Sequence, residues 1–166
     1  MMTEEQVMNR VLEHSYEVTS LGYDYFFVSA QGSWNYDLGY ENSDVDTKAT
    51  LFPNFDDFAL NKKPVSTTHI LLNNEHIDLK DIRFMFDCFW KQNVNFLEVL
   101  FSKYFIVNPN YKEEWNQLLG LRERIAHYNN WYAVKCMYGM ATEKYYALEK
   151  LYPSQMEVVK KYGYSG

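Results

Sequence analysis

The hydrophobic and polar positions of the chain change their period twice, from helical spacing to alternation and back. Residues 3–20 carry apolar side chains at helical spacing, which predicts an amphipathic helix. Residues 23–30 form a short aromatic and β-branched run, typical of a strand covered on both faces. A polar, glycine-punctuated segment follows, too irregular for a long element.

Strict alternation then predicts one more strand and a two-stranded hairpin. Residues 44–51 alternate polar and apolar side chains, which would place Asp44, Asp46 and Lys48 on one face of a strand. Residues 67–79 contain two short β-branched runs around an Asn-Asn pair, and asparagine tolerates the positive φ of a tight turn. Asp78 falls on the second arm of this predicted hairpin.

From residue 81 onward the period returns to that of a helix. Apolar residues at helical spacing line one side of the segment 82–90, including Phe86 and Trp90. A last short strand is predicted over 103–107, and three helical segments follow over 111–126, 128–150 and 154–162. The predicted fold class is α+β, with a small mixed β-sheet flanked by helices in a core of residues 1–108. Residues 109–166 would form a helical extension packed on that core.

The composition and net charge of the chain limit the classes of protein to which it can belong. The 166 residues are 47% hydrophobic and 23% charged, which suits one globular domain with a real core. The net charge of −6 argues against binding nucleic acid by charge alone, since phosphate contacts need clustered Lys and Arg. No stretch approaches the roughly 18 apolar residues of a membrane span, so a cytoplasmic protein with no membrane partner is expected. Cys88 and Cys136 match no metal-ligand spacing and are expected to be reduced.

A Gly-Ser pair and two aspartates follow the first predicted strand. Gly32 lets the backbone turn sharply beside a ligand, and a helix starting near Ser33 would offer free N–H groups to phosphate. Asp44 and Asp46 present the hard oxygen ligands that Mg²⁺ prefers. Asp78, on a neighbouring strand with matching side-chain parity, would complete a site for two ions about 3.5–4 Å apart, the arrangement that serves phosphoryl displacement.

Together these residues resemble the nucleotidyltransferase fold of the DNA polymerase β superfamily, and in particular its small bacterial and phage members. The stretch GSWNYDLGYENSDVD resembles the Gly-Ser, aromatic, Gly-containing loop and Ser-Asp-x-Asp of that group. HIDLKDIRFMF and the following KQNVNFLEVLF resemble a strand and helix of one branch, sometimes linked to RNA repair. The resemblance covers about half the chain. KKYGYSG ends where similar proteins run on into a basic helix, so a shortened form is expected.

The resemblance implies a role for each matching residue. Gly32 and Ser33 would hold the triphosphate of a nucleoside triphosphate (NTP). Asp44 and Asp46 would bind both Mg²⁺ ions, and Asp78 would bind the catalytic ion and help deprotonate the attacking hydroxyl. The implied enzyme, which would bind ATP or another NTP, transfers a nucleoside monophosphate to a hydroxyl acceptor, either an RNA end or a protein side chain, and releases pyrophosphate. Neither the acceptor, the base preference nor the oligomeric state can be read from the sequence.

Plainer roles stay open for each of these residues. The two loop aspartates would also suit a solvated turn, and Asp78 would suit a helix cap, although Asp81 is the more natural one. Lys48 shares the face of the aspartates, so it either binds phosphate or only neutralises the carboxylates. His76 is expected to make structural hydrogen bonds.

Two other functions compete with the enzyme. The first is a catalytically silent nucleotide-binding or antitoxin-like interaction protein on the same fold, which the acidic charge and the aromatic-rich tail favour. The second is a metal-binding α/β domain of unrelated fold. The intact carboxylates argue against a catalytically silent protein, because an inactive site has no electrostatic reason to keep several carboxylates close together.

Overall fold

The computed structural model describes residues 2–39 and 43–149. Its helices are α1 (Glu4–Ser20), α2 (Phe55–Ala59), α3 (Ile82–Trp90), α4 (Val94–Leu97), α5 (Lys112–Ala126) and α6 (Asn130–Glu149). Its strands are β1 (Tyr25–Ala30), β2 (Thr47–Leu51), β3 (Ser66–Ile70), β4 (His76–Asp81) and β5 (Phe105–Val107). Short 3₁₀ helices cover Gly32–Tyr36, Glu98–Leu100 and Pro109–Tyr111. Within this part of the chain, none of the helices combines the length and apolar character of a membrane span.

The strands form one mixed sheet in the order β3-β4-β2-β1-β5. β2 and β4 run parallel, and the other neighbouring pairs are antiparallel. β2 is therefore the central strand, and all five of its residues are buried. Because β2 is buried on both faces, its charged residue Lys48 lies in the protein interior, where an unpaired charge is costly.

Two apolar clusters sandwich the sheet. On one face, α1 packs its buried valines against Val28, Ala49 and Ile77. On the other face, Phe27 packs with residues of α3 and α5, where the ring of Trp115 lies 4.4 Å from that of Phe27 between centroids. Alternation along the strands assigns each side chain to one of these clusters.

Most of the predicted elements are present. The α+β class, the strand before Gly32, the Asn-Asn hairpin and the short final strand are confirmed, and Asn74 adopts the positive φ of +66° that the turn requires. β2 begins at Thr47, three residues later than predicted, because residues 44–46 are extended without pairing in the sheet. The predicted buried side of α3 is also wrong in part, since Phe86 and Trp90 are each 55% exposed.

Other predictions are not tested. The segment 154–162 lies outside the described residues. The nucleotidyltransferase fold and the division of the chain at residue 108 stay predictions.

Candidate functional site

A polar cleft of about 320 Å³ opens at the end of β1 and beside the start of β2. Its volume falls within the range of small-molecule sites, which is about 300–1,000 Å³. The cleft is lined by Gln31, Gly32, Ser33, Asp44, Asp46, Lys48, Asp78, Asn95 and Glu98. All six residues predicted to bind substrate or metal are therefore on one surface.

The Gly-Ser wall of the cleft is a short 3₁₀ helix that starts directly after β1. Gly32 has φ +74°, in the left-handed region that favours glycine, and this conformation turns the chain out of the sheet. Trp34, only 6% exposed, holds the turn against the core. Its indole N–H donates to the backbone carbonyl of Asp44 at 3.0 Å. This hydrogen bond connects the 3₁₀ helix after β1 to the segment that precedes β2.

The acidic wall is the extended segment Asp44-Val45-Asp46. Val45 is fully buried, so its two neighbours point away from the core. The N–H of Gln31 donates to the carbonyl of Asp46 at 3.0 Å, and the N–H of His76 donates to Asp46 Oδ1 at 2.8 Å. The Asp46 carboxylate is therefore fixed at one oxygen.

Asp78 and Lys48 lie directly opposite each other in the parallel β2–β4 pair. Asp78 Oδ1 accepts from the Thr68 hydroxyl at 2.6 Å, and Oδ2 accepts from Gln31 Nε2 at 3.4 Å. Asp81, not Asp78, caps α3 by accepting from the N–H of Arg83 at 2.8 Å. The helix-cap alternative for Asp78 is therefore wrong, and its carboxylate stays at the cleft.

Lys48 is a buried cation, only 3% exposed. Its ammonium donates to the backbone carbonyl of Asn95 and lies 4.5 Å from the ring centroid of Phe96. Burial lowers the pKa of the Lys48 ammonium, and the negative charges of Glu98 and Asp78 offset only part of that effect. The Lys48 side chain thus lies buried among the carboxylates of the cleft.

Glu98 forms the far side of the cleft and is held by Tyr36. The Tyr36 hydroxyl donates to Glu98 Oε2 at 2.8 Å. Burial, together with this hydrogen bond to a carboxylate, raises the pKa of Tyr36 to about 12. Tyr36 is therefore a neutral donor at neutral pH, and it links the 3₁₀ helix to the opposite wall.

Behind the acidic segment, on the α1 side of the sheet, Arg10, His14, Asn73 and Glu75 form what we call the Glu75 cluster. The Glu75 carboxylate is 6% exposed and accepts from Arg10 Nε at 3.1 Å, His14 Nε2 at 3.0 Å and Asn73 Nδ2 at 2.8 Å. It also accepts from the N–H of Val45 at 3.3 Å.

The ionisation states of this cluster follow from these contacts. Burial by itself would raise the pKa of Glu75, but the hydrogen bonds from its partners outweigh burial and lower that pKa to about 2. Burial lowers the pKa of His14, so its imidazole is neutral near pH 7. A neutral ring that donates from Nε2 to Glu75 accepts the Thr47 hydroxyl at Nδ1, over 2.9 Å.

The donor set of the cleft fits a hard divalent cation, since Mg²⁺ is commonly held by one or two carboxylates together with substrate phosphate and water. Among residues 2–39 and 43–149, however, no group of three or more His, Cys, Asp or Glu side chains is arranged to hold a metal ion. The two-ion site with three carboxylates therefore stays a prediction.

Sequence reasoning missed several residues of the site. Gln31, Asn95 and Glu98 line the cleft without belonging to any pattern that singles them out. One residue of the Glu75 cluster could have been recognised in the sequence. His14 lies at helical spacing from the buried valines of α1, on the same face of the helix. A histidine in that stripe needs buried polar partners.

Comparison of the chain with protein-family models gives no match, and comparison with curated proteins gives none. The case for a function therefore depends on the cleft and on the residues that line it.

Proposed function

We propose that this chain is a nucleotidyltransferase of the DNA polymerase β type. It transfers a nucleoside monophosphate from an NTP to a hydroxyl acceptor and releases pyrophosphate. The observation that carries the proposal is the shared cleft, where Gly32 and Ser33 face the carboxylates of Asp44, Asp46 and Asp78.

The transfer requires one bond to form and one to break. The acceptor oxygen bonds to the α-phosphorus of the NTP, the bond from that phosphorus to the β-bridging oxygen breaks, and pyrophosphate leaves with the electron pair. The acceptor hydroxyl loses its proton to a cleft carboxylate, a role for which Asp78 is the best placed because Thr68 fixes its orientation.

The remaining residues position substrate and balance charge. Lys48 places the one ammonium group among the described lining residues in a cleft that must accept a polyanion. Asp44 and Asp46 would hold Mg²⁺ together with substrate phosphate, with Asp78 as a third carboxylate, and bound Mg²⁺ would supply charge neutralisation at the phosphate. Phosphoryl transfer asks mainly for such positioning and electrostatic stabilisation.

The test is transfer of label from each of the four [α-³²P]NTPs, with Mg²⁺, to RNA or protein acceptors. Wild-type protein is expected to label one acceptor class, and Asp46→Ala is expected to reduce the rate by about 10²-fold or more. The matched control is Asp87→Asn, because Asp87 is an exposed aspartate of α3 that pairs with Lys91 at 2.6 Å. If no NTP is bound or turned over, and Asp46→Ala changes nothing, the proposal is wrong.

One observation favours the alternative of a silent interaction protein. Large apolar side chains of α6 are exposed, among them Trp131 at 73% and Tyr138 at 73%. Large contiguous apolar patches on a protein surface mark interaction sites. A stoichiometric protein partner whose binding is unaffected by Asp44→Asn, together with no NTP binding, would support that alternative.

A further inference from the structure

Three successive residues at the acidic wall and the start of β2, Val45 to Thr47, are held by residues that do not line the cleft. The N–H of Val45 donates to Glu75 Oε1, the carboxylate of Asp46 accepts from the N–H of His76, and the hydroxyl of Thr47 meets His14. Glu75 and its neighbour in the chain therefore contact both the backbone and a side chain of the segment that carries the two aspartates.

We infer that Glu75 is a positioning residue for the candidate active site. Its carboxylate fixes the peptide bond between Asp44 and Val45, and so directs the side chains of Asp44 and Asp46 into the cleft. This inference rests on the proposed function in one respect, namely that these two carboxylates bind the divalent cation. It adds a residue that is not among those lining the cleft.

The fold alone gives no reason for an ionised group at this position. Glu75 follows the turn between β3 and β4, where an exposed polar residue would be sufficient. Burying a carboxylate costs free energy, and an apolar replacement of a buried ion pair is often neutral or stabilising. Yet Glu75 is buried and surrounded by donors from α1, from the turn and from the acidic segment. A carboxylate is the one side chain that can accept from all of them.

The two oxygens of Glu75 have different partners, which determines the choice of variant. Oε2 accepts from Arg10, His14 and Asn73, while Oε1 accepts from the N–H of Val45 and, at 3.4 Å, from Arg10 Nε. In Glu75→Gln, an amide N–H₂ group replaces one of the two carboxylate oxygens. This new donor would face either the donors on the Oε2 side or the N–H of Val45 on the Oε1 side. Both orientations break the contact pattern while keeping the size of the side chain.

The experiment compares full-length wild-type protein with Glu75→Gln and with the control Glu13→Gln. Glu13 also pairs with Arg10, but it has no contact with the acidic segment among the described residues. Two quantities are measured: amide hydrogen exchange at Val45 by NMR, and Mn²⁺ affinity by electron paramagnetic resonance without nucleotide. In Glu75→Gln we expect exchange at Val45 to accelerate about tenfold. We also expect Mn²⁺ affinity to fall about tenfold, as is typical when the support of metal ligands is removed. Glu13→Gln is expected to change neither.

The outcomes separate the inference from the proposed function. Unchanged Mn²⁺ affinity in Glu75→Gln overturns the inference, even when exchange accelerates, because a structural role alone gives that result. Wild-type protein that binds no Mn²⁺ contradicts the cation site of the proposed function and, with it, the role of Glu75 towards that site. Wild-type protein that binds Mn²⁺ as tightly as Glu75→Gln contradicts the inference alone. Should Glu75→Gln fail to fold, Thr47→Val removes the hydroxyl that meets His14, and a roughly threefold loss of Mn²⁺ affinity is expected.

Discussion

Acidification should remove a defined part of the stability of this protein through Glu75. The pKa of Glu75 is lowered in the fold from an ordinary value of 4.5 to about 2. The ionised form is therefore favoured by folding, and the stabilisation is fully present above pH 4.5 and lost as pH falls towards 2. The lowering corresponds to about 3 kcal/mol at pH 7, of which about 2 kcal/mol is lost by pH 3.

Urea unfolding followed by tryptophan fluorescence at pH 7, 5, 4 and 3 measures this loss. Other carboxylates titrate in the same range, so the informative quantity is the difference in unfolding free energy between wild-type protein and Glu75→Gln. We expect that difference to shrink by about 2 kcal/mol between pH 7 and pH 3. A difference that stays constant across this range would refute the argument that the buried hydrogen bonds of Glu75 stabilise its ionised form.

Three further predictions test the core and the cleft. In Gly39→Ala the new Cβ would lie 2.5 Å from the Trp34 ring, so we expect a loss of about 1–3 kcal/mol in urea unfolding, and equal stability would contradict this packing. Phe27→Ala, in the core beside Trp115, should lower the free energy of unfolding by about 3–5 kcal/mol. Phe55→Ala, at a side chain that is 81% exposed, should leave it almost unchanged, and similar losses in both variants would be evidence against the assigned core. Lys48→Met should weaken the binding of inorganic triphosphate, measured by calorimetry, by about tenfold or more while the protein stays folded. Unchanged affinity would show that Lys48 does not contact the phosphate.

The elements that sequence could predict are those that depend on local pattern. Alternation identified the hairpin and the face of its second arm that carries Asp78, because side-chain parity is a property of any extended chain. That this face meets Lys48 follows only from the pairing of β2 with β4. The same pattern misjudged the start of β2, since alternation reports the direction of side chains and not whether the backbone pairs with a neighbour. Thr47 is the first residue with a partner strand, opposite Ile77.

The features that sequence could not predict depend on contacts distant along the chain. Phe86 has the spacing of a core residue, yet the neighbouring elements cover only the side of α3 that carries Met85. Spacing measures how apolar a helix face is, and not whether another element covers it. Glu75 likewise stands in a polar turn, and its burial results from Arg10 and His14, more than sixty residues away.

The connection between β1 and β2 leaves and re-enters the sheet at paired residues, since Ala30 stands opposite Thr47. Adjacent antiparallel strands need only two residues to join them, so most of this connection is not required to join the pair. Residues 31–46 thus behave as an insert at the mouth of a hairpin. Under the proposed function, changes within this insert would alter substrate preference while the strand order and pairing of the scaffold stay the same.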